Sequence, residues 1–195
     1  MLRELSVQVA SGSLLVPITE TGGVEQVVNG AGGRVERTKA SLHALLSAAT
    51  EDGVLFAGAS GGGYAFPDFL PAYDALVSTG KVLEILARSG KPLSKLTAGL
   101  PRSMLVHTLA PCPWALKGTA MRLLIEATKG MQTDHTDGVK VFEPTGWVQM
   151  IPDPDEPVFH IYAEGATRKD SVSLEAKYRG MLEQIVSAEP AETLN

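Results

Sequence analysis

Short apolar strands alternate with helices along the first hundred residues, and no other feature limits the possible folds of this chain as strongly. Each strand is followed by a glycine-containing turn or by a stretch with the 3.6-residue spacing of a helix. Strands that alternate with helices form layered α/β structures with at least partly parallel strands. We therefore predict an αβα-layered domain with a mixed sheet over residues 1–100. Its predicted strands are Ser13–Ile18, Arg34–Thr38 and Gly53–Ala57. Its predicted helices are Gly22–Asn29, a second helix whose apolar stripe runs from Leu42 to Ala49, and a longer helix from about Pro71 to Gly90.

The pattern changes after residue 100, where strands follow one another without intervening helices. Glu143-Pro144-Thr145-Gly146 has the proline and glycine of a type I turn, so the apolar runs beside it form a β-hairpin. We predict a small α+β domain over residues 101–195, with a four-stranded antiparallel sheet and two helices. Its predicted elements are the strand Met104–Leu109, the helix Trp114–Lys129, the strands Val139–Phe142, Trp147–Ile151 and Val158–Glu164, and a last helix through Leu174, Tyr178, Met181, Leu182 and Ile185.

Charge and composition exclude several classes of function. The chain has 17 basic and 22 acidic residues and a net charge of −5, without a basic stripe, so nucleic acid is not an expected partner. Its single cysteine, Cys112, excludes an internal disulfide framework and fits a reducing compartment. No apolar run is long enough to cross a bilayer, and the first residues lack the apolar core of a signal peptide. We expect a cytoplasmic protein that does not bind membranes.

The loop Gly58-Ala59-Ser60-Gly61-Gly62-Gly63 after the third strand is the first candidate site. Its first five residues match the G-x-S-x-G pattern, in which a sharp strand-to-helix turn exposes a serine nucleophile. Asp134 or Asp137, followed by His160, would complete a triad in the right chain order. We favour a flexible or ligand-facing glycine loop, because more glycines follow in place of an immediate helix. A serine hydrolase that uses Ser60 stays an alternative.

The second candidate site is the acidic, proline-rich segment Ile151-Pro152-Asp153-Pro154-Asp155-Glu156-Pro157. Its three carboxylates could bind a hard cation. We predict no metal site, because the prolines restrict how the loop can wrap and calcium-loop spacing is absent. The polar run Thr133–Asp137 is interpreted as a loop, and Cys112, between two prolines, as a packed thiol. His107 lies in a predicted strand and has no partner in the sequence.

The order of motifs resembles the third and fourth domains of the α-D-phosphohexomutases, the family of phosphomannomutases and phosphoglucomutases. The resemblance covers nearly the whole chain. The residues similar to the third domain are Leu15–Thr19, Gly33–Lys39, Phe66–Phe69, Asp74 and Gly90–Lys95, and those similar to the fourth are Asp137–Val141, Gly146-Trp147, Glu156-Pro157 and Ile161–Glu164.

The resemblance implies that the glycine loop is a vestigial sugar-binding site. The family's third domain reads sugar hydroxyls with Gly-Glu-x-Ser-Gly-His. On Gly58–Gly63 the glutamate falls on Ala59, the serine on Gly61 and the histidine on Gly63. All three polar side chains of the family motif are therefore missing.

The acidic segment is implied to be an equally altered phosphate loop. The family motif Arg-Pro-Ser-Gly-Thr-Glu-Pro falls on Ile151–Pro157. The arginine, serine and threonine donors are replaced by Ile151, Asp153 and Asp155. The residues that persist are Pro152, Glu156 and Pro157. A carboxylate about 5 Å from a phosphate charge is repelled by about 3 kcal/mol at an effective dielectric near 20. We expect that hexose phosphates are not favoured ligands of this loop.

The resemblance also defines what this chain lacks. The family's phosphoserine domain and its acidic magnesium loop have no counterpart, so no catalytic residue and no cofactor is expected here, and magnesium belongs only to the missing second domain. The acidic loop is similar to mutase-like regions fused behind mannose-1-phosphate guanylyltransferases. We expect a non-catalytic module whose partner is its own missing N-terminal domains, a fused nucleotidyltransferase or a second copy. The alternative is the substrate-binding half of an active phosphomannomutase or phosphoglucomutase, an intramolecular phosphotransferase.

Overall fold

The chain divides between Ser103 and Met104 into two units, each with its own sheet and core. The computed structural model describes residues 12–188, so the ends of the two predicted domains, residues 1–11 and 189–195, lie outside it. No helix in the described part of the chain is long and apolar enough to cross a membrane.

The first unit contains a mixed four-stranded sheet in the order β2-β1-β3-β4. β1 pairs in parallel with β2 and β3, and β4 pairs antiparallel with β3. The predicted mixed sheet is therefore confirmed. The sequence did not predict β4, because two residues beside a glycine run are too few to show the alternating pattern of a strand. The strands are β1 Ser13–Pro17, β2 Arg34–Thr38, β3 Val54–Gly58 and β4 Tyr64–Ala65.

Helices cover both faces of this sheet, which gives the predicted layers. Leu14 and Leu15 point to opposite faces because successive residues of a strand alternate. Leu14 belongs to a cluster with Val28, and Leu15 to a separate cluster with Leu45. The helices are α1 Gly23–Asn29, α2 Leu42–Ala48, α3 Ala75–Ser89 and α4 Leu93–Thr97.

The start of α3 differs from the prediction. The helix begins at Ala75 rather than near Pro71, because the carboxylate of Asp74 caps its first turn. Asp74 Oδ1 accepts a 2.8 Å hydrogen bond from the backbone amide of Val77. Gly90 ends the helix as predicted, with the left-handed φ of +61°.

The second unit contains a fully antiparallel sheet of five strands, in the order β5-β9-β8-β7-β6. The predicted number of four strands was wrong. The additional strand β6 lies in the segment interpreted as a polar loop, and its polar residues pair with Lys140–Phe142 at the sheet edge through backbone hydrogen bonds, which need no apolar pattern. The strands are β5 Val106–Pro111, β6 Gln132–Asp134, β7 Val139–Glu143, β8 Gly146–Pro152 and β9 Val158–Gly165.

The two predicted helices are present as α5 Lys117–Ala127 and α6 Arg168–Ala188, and both pack on one face of this sheet. A single turn of 3-10 helix, Trp114–Leu116, precedes α5. The predicted hairpin is confirmed, with Glu143 paired to Gly146 across its turn. The face of the sheet away from these helices carries polar and aromatic side chains, including the neighbouring residues His107 and Tyr162 on β5 and β9.

Candidate functional site

The glycine loop of the first unit connects the two strands of a β-hairpin. β3 ends at Gly58 and β4 begins at Tyr64, and these two residues are antiparallel partners. Across the loop, the amide of Gly62 donates to the carbonyl of Ala59 at 3.2 Å. Because β3 returns as β4 instead of entering a helix, the loop does not have the strand–turn–helix geometry of a nucleophile elbow.

Ser60 is bonded to a buried carboxylate. Its backbone amide and its hydroxyl both donate to Glu20 Oε1, at 2.8 and 2.9 Å, and Glu20 is only 7% exposed. The one histidine within residues 12–103, His43, is exposed on α2. The described part of this unit therefore offers Ser60 no imidazole base, and the hydrolase alternative loses its geometric support.

Glu20 was missed in the sequence, because it lies 40 residues from Ser60. Arg37 fixes the turn that carries it. The Arg37 guanidinium donates to the carbonyls of Pro17 and Glu20 at 3.0 and 2.7 Å and forms two bonds, of 2.7 and 2.6 Å, with the carboxylate of Glu25. The position of the Glu20 backbone is thus set by a guanidinium that is itself fully engaged.

Tyr73 occupies the space beside Gly63. Gly63 has a φ of +87°, and a Cβ atom at this position would overlap the Tyr73 ring. A histidine, the residue that the family motif has here, does not fit unless that ring moves. Burial is the main cause that raises the pKa of Tyr73, and the negative charge of Glu20 adds to it. Gly61, in contrast, has open space around its missing Cβ.

In the second unit, the acidic segment folds around the carboxylate of Asp153. Asp153 Oδ1 accepts hydrogen bonds from the backbone amides of Asp155 and Glu156, each at 2.7 Å. Asp153 Oδ2 lies 2.7 Å from Nε2 of His160. The bond with His160, followed by the bond from the Asp155 amide, lowers the pKa of Asp153 to about 2. The hydrogen bonds that this carboxylate accepts therefore come from the amides of its own loop and from His160.

Lys117 holds the same loop from α5. Its ammonium donates to the backbone carbonyls of Asp153 and Glu156, and it lies 3.7 Å from the centroid of the Trp114 ring. The nearby amide of Cys112 donates to the carbonyl of Pro157 at 2.8 Å. The Lys117 ammonium is thus engaged by loop carbonyls. The contact could not be predicted from the sequence, because the partners are 36 residues or more apart.

The histidine predicted as part of a triad has different partners. His160 contacts Asp153 and, through Nδ1, Nε2 of His107 at 2.8 Å, instead of Asp134 or Asp137. The carboxylate assigned to His160 in the triad interpretation was therefore wrong. Tertiary pairing of β5 with β9 supplies the partner that His107 lacks in the sequence.

An open, mostly apolar groove of about 470 Å³ lies where the acidic loop leaves β8. No lysine or arginine lines it, so it has no cationic group for a phosphate. Its lining residues are Met121, Ile125, His135, Asp137, Gly138, Ile151 and Pro152.

Within residues 12–188, no group of three or more histidine, cysteine, aspartate and glutamate side chains is arranged to hold a metal ion. Asp134, in the polar run considered for a metal, accepts a 2.7 Å bond from the amide of Thr136. Cys112 is fully buried, and burial raises the pKa of its thiol. It is a packed thiol, as interpreted from the sequence.

Comparison with known proteins relates this chain to one protein family. The family described as phosphoglucomutase/phosphomannomutase, alpha/beta/alpha domain III, matches residues 3–104. A probable phosphoglucosamine mutase of Methanopyrus kandleri is 29% identical over 90% of this chain and 39% of its own length. A phosphoglucomutase/phosphomannomutase of Thermococcus kodakarensis is also 29% identical, over 81% of this chain and 35% of its own length.

Solved structures agree with the fold. A phosphoglucomutase/phosphomannomutase family protein from Burkholderia thailandensis superposes with a TM-score of 0.74 at 21% identity, over 94% of this chain and 41% of that protein. The N-acetylphosphoglucosamine mutase of Aspergillus fumigatus, solved with GlcNAc-6P and magnesium, superposes with a TM-score of 0.67 at 13% identity, over 95% of this chain and 43% of that protein. The chain spans less than half the length of each relative.

Proposed function

The chain belongs to the phosphoglucomutase/phosphomannomutase family, and from this premise we propose that it is a module of sugar-phosphate metabolism that does not catalyse phosphoryl transfer by itself. The observation that carries the proposal is the engagement of Asp153 by its own loop. Where the family loop has donors for a phosphate, this loop has a carboxylate that already accepts two backbone amides.

Phosphate binding depends on donors as much as on charge. A phosphate is bound by N–H and O–H groups that point at it and by cations. Here the amides of Asp155 and Glu156 donate to Asp153, and the ammonium of Lys117 donates to carbonyls. A hexose phosphate would have to displace the Asp153 carboxylate and then remain next to it. We infer that this loop does not bind hexose phosphates in the family's manner.

The glycine loop supports the same conclusion. Its glutamate and serine positions, Ala59 and Gly61, have no side-chain group that hydrogen-bonds a sugar hydroxyl, and the space for a side chain at Gly63 contains the Tyr73 ring. Restoring a histidine at Gly63 thus requires more than one substitution. Both loops therefore lack the side chains that the family motifs have at these positions.

A module of this kind acts through a partner domain. Exposed apolar side chains on and before α3 suit such a contact: Leu76 is 86% exposed, and Phe69 and Leu83 are also exposed. We propose a parent protein that supplies the remaining domains, either as a mutase or as a nucleotidyltransferase of the mannose-1-phosphate guanylyltransferase type, in the cytoplasm. Magnesium, in this proposal, belongs to the parent and not to this chain.

Isothermal titration of the purified chain with mannose 1-phosphate and glucose 1-phosphate tests the proposal. We expect no binding heat at millimolar ligand. A dissociation constant below 1 mM for either sugar phosphate would contradict the proposal and favour the alternative function. The Gly63→Ala variant, whose added methyl group overlaps Tyr73, should then lose that affinity if the glycine loop is the binding site.

The alternative, the substrate-binding half of an active mutase, is favoured by the names and coverage of the relatives. Two of them are named as phosphoglucosamine mutase and phosphoglucomutase/phosphomannomutase and match most of this chain. Under this alternative, a parent protein that contains this chain has mutase activity that depends on the acidic loop. Measuring the mutase activity of the parent with and without Asp153→Ala separates the two functions. A loss of activity in the variant favours the alternative, and unchanged activity favours the first proposal.

A further inference from the structure

Two histidines and an aspartate of the second unit form a continuous chain of hydrogen bonds. His107 on β5 and His160 on β9 are 2.8 Å apart, Nε2 to Nδ1, and Nε2 of His160 lies 2.7 Å from Oδ2 of Asp153. The two imidazole rings are nearly parallel, with 9° between their planes. His107 also stacks on the ring of Tyr162, with 4.1 Å between centroids. The stacking fixes which nitrogen atoms face each other.

The position of each proton follows from the aspartate. An ionised carboxylate only accepts hydrogen bonds, so Nε2 of His160 must donate to Asp153. In a neutral imidazole the other nitrogen is then an acceptor, so Nε2 of His107 must donate to Nδ1 of His160. Both neutral histidines therefore carry their proton on Nε2.

This arrangement accepts one additional proton without losing a contact. A proton on Nδ1 of His107 leaves both hydrogen bonds intact, and the positive charge is shared along the chain towards Asp153. A second proton must go to His160, and two N–H groups would then face each other at the 2.8 Å distance. The contact between His107 and His160 cannot survive that state.

The surroundings of the pair do not relieve this conflict. On β9 the stacked neighbour is Tyr162, and on β8 the residue paired with His160 is the apolar Ile151. From α5, Lys117 adds a positive charge at the Asp153 carbonyl. Glu164, on the same face of β9, accepts a hydrogen bond from the Trp147 indole, and the loop carboxylates of Asp155 and Glu156 are exposed to solvent. Burial and the charge of His160 both lower the pKa of His107.

We propose that His107, His160 and Asp153 form a proton-linked clamp on the acidic loop, which holds one proton between the two histidines and opens at His107 when both are protonated. In the closed state His107 orients His160, and His160 fastens Asp153, around which the loop amides are arranged. The clamp makes the orientation of His160 against Asp153 depend on pH, whether or not the loop binds a ligand.

Histidine NMR of the whole chain tests the proposal. We expect Nε2–H tautomers for both residues at pH 8. On acidification, one histidine of the pair should titrate first, and the other should have at least tenfold lower proton affinity. In His107→Phe, which keeps a ring on Tyr162, His160 should titrate as a single site with its proton affinity changed at least threefold from wild type. His43 and His135, elsewhere in the chain, should titrate identically in both proteins.

Two results would overturn the clamp. One is an Nδ1–H tautomer of His160 at pH 8, which is incompatible with donation to Asp153. The other is an unchanged titration of His160 in His107→Phe, which would mean that the histidines are not coupled. Both results can be read from a folded protein, since the shifts of His43 and His135 report on folding in the same spectra.

Discussion

At the scale of single residues, two glycines of the loop after β3 differ in the space around them. Gly61 and Gly63 are two positions apart, and the resemblance implies a polar side chain at each, but their surroundings differ. Gly61 has nothing within 4 Å of its missing Cβ, whereas Gly63 has a left-handed φ and the Tyr73 ring against it. The first position is available for a side chain and the second is occupied.

The matched pair Gly63→Ala and Gly61→Ala tests this difference. We expect Gly63→Ala to lower the free energy of unfolding of the first unit by about 2 to 4 kcal/mol, from the left-handed backbone and the overlap with Tyr73. Gly61→Ala should stay within about 0.5 kcal/mol of wild type. Denaturant unfolding measures both values. Equal values for the two variants would show that the Tyr73 ring does not restrict the loop.

Asp153 makes the stability of the second unit depend on pH. Its pKa in the folded chain, about 2, is below that of an unfolded aspartate, about 3.9. The stabilisation is therefore complete above the unfolded value and is lost as the pH falls through the folded value. We expect the melting temperature of the wild type to fall between pH 4 and pH 2, and that of Asp153→Asn to fall less over the same range.

The control for this prediction is Asp155→Asn, two residues along the same loop. Asp155 is exposed, and it contributes its backbone amide, rather than its carboxylate, to the hydrogen bond with Asp153. Its pH profile should run parallel to that of the wild type. Parallel profiles for all three proteins would contradict the role given to Asp153.

At the scale of elements, the acidic loop connects β8 to β9, and we interpret it as an altered phosphate loop. Returning the family's donors to it, in Ile151→Arg, Asp153→Ser, Pro154→Gly and Asp155→Thr together, should restore an anion site. We expect at least a tenfold gain in affinity for inorganic phosphate, measured by isothermal titration. The control, Asp153→Asn with Asp155→Asn, removes the charge without adding donors.

The comparison of these two variants separates charge from donors. The control should gain less than the full replacement, because free N–H and O–H groups are needed to bind the anion. An equal gain in both would mean that the negative charge alone excludes phosphate. No gain in either would contradict the interpretation of this loop as an altered phosphate site.

Most elements could be predicted because their apolar residues follow a period. The hairpin around Glu143–Gly146 and the last helix are examples, since the turn and the 3.6-residue spacing are both local. β4 and β6 could not be predicted, because both are short and owe their pairing to a neighbouring strand. The contacts of the candidate sites were missed for a related reason: Glu20 with Ser60 and His107 with His160 are 40 and 53 residues apart. The loops themselves were found, because glycine and proline runs are local.

At the scale of the whole molecule, the proposal concerns one loop in each unit. Ala59, Gly61 and Gly63 of the glycine loop have no polar side chain, and the amides of Asp155 and Glu156 and the ammonium of Lys117 donate to oxygen atoms of the acidic loop. The chain spans 39% of the length of one relative, and we propose that it acts as part of a larger protein. The central claim is that hexose phosphates no longer bind either loop.

The most direct test is a heteronuclear NMR titration of the chain with glucose 1-phosphate and mannose 1-phosphate, which reports on each loop separately. At millimolar ligand, we predict that the amide signals of Gly61, Gly62, Asp155 and Glu156 do not shift. Saturable shifts of these amides with a dissociation constant below 1 mM would contradict it.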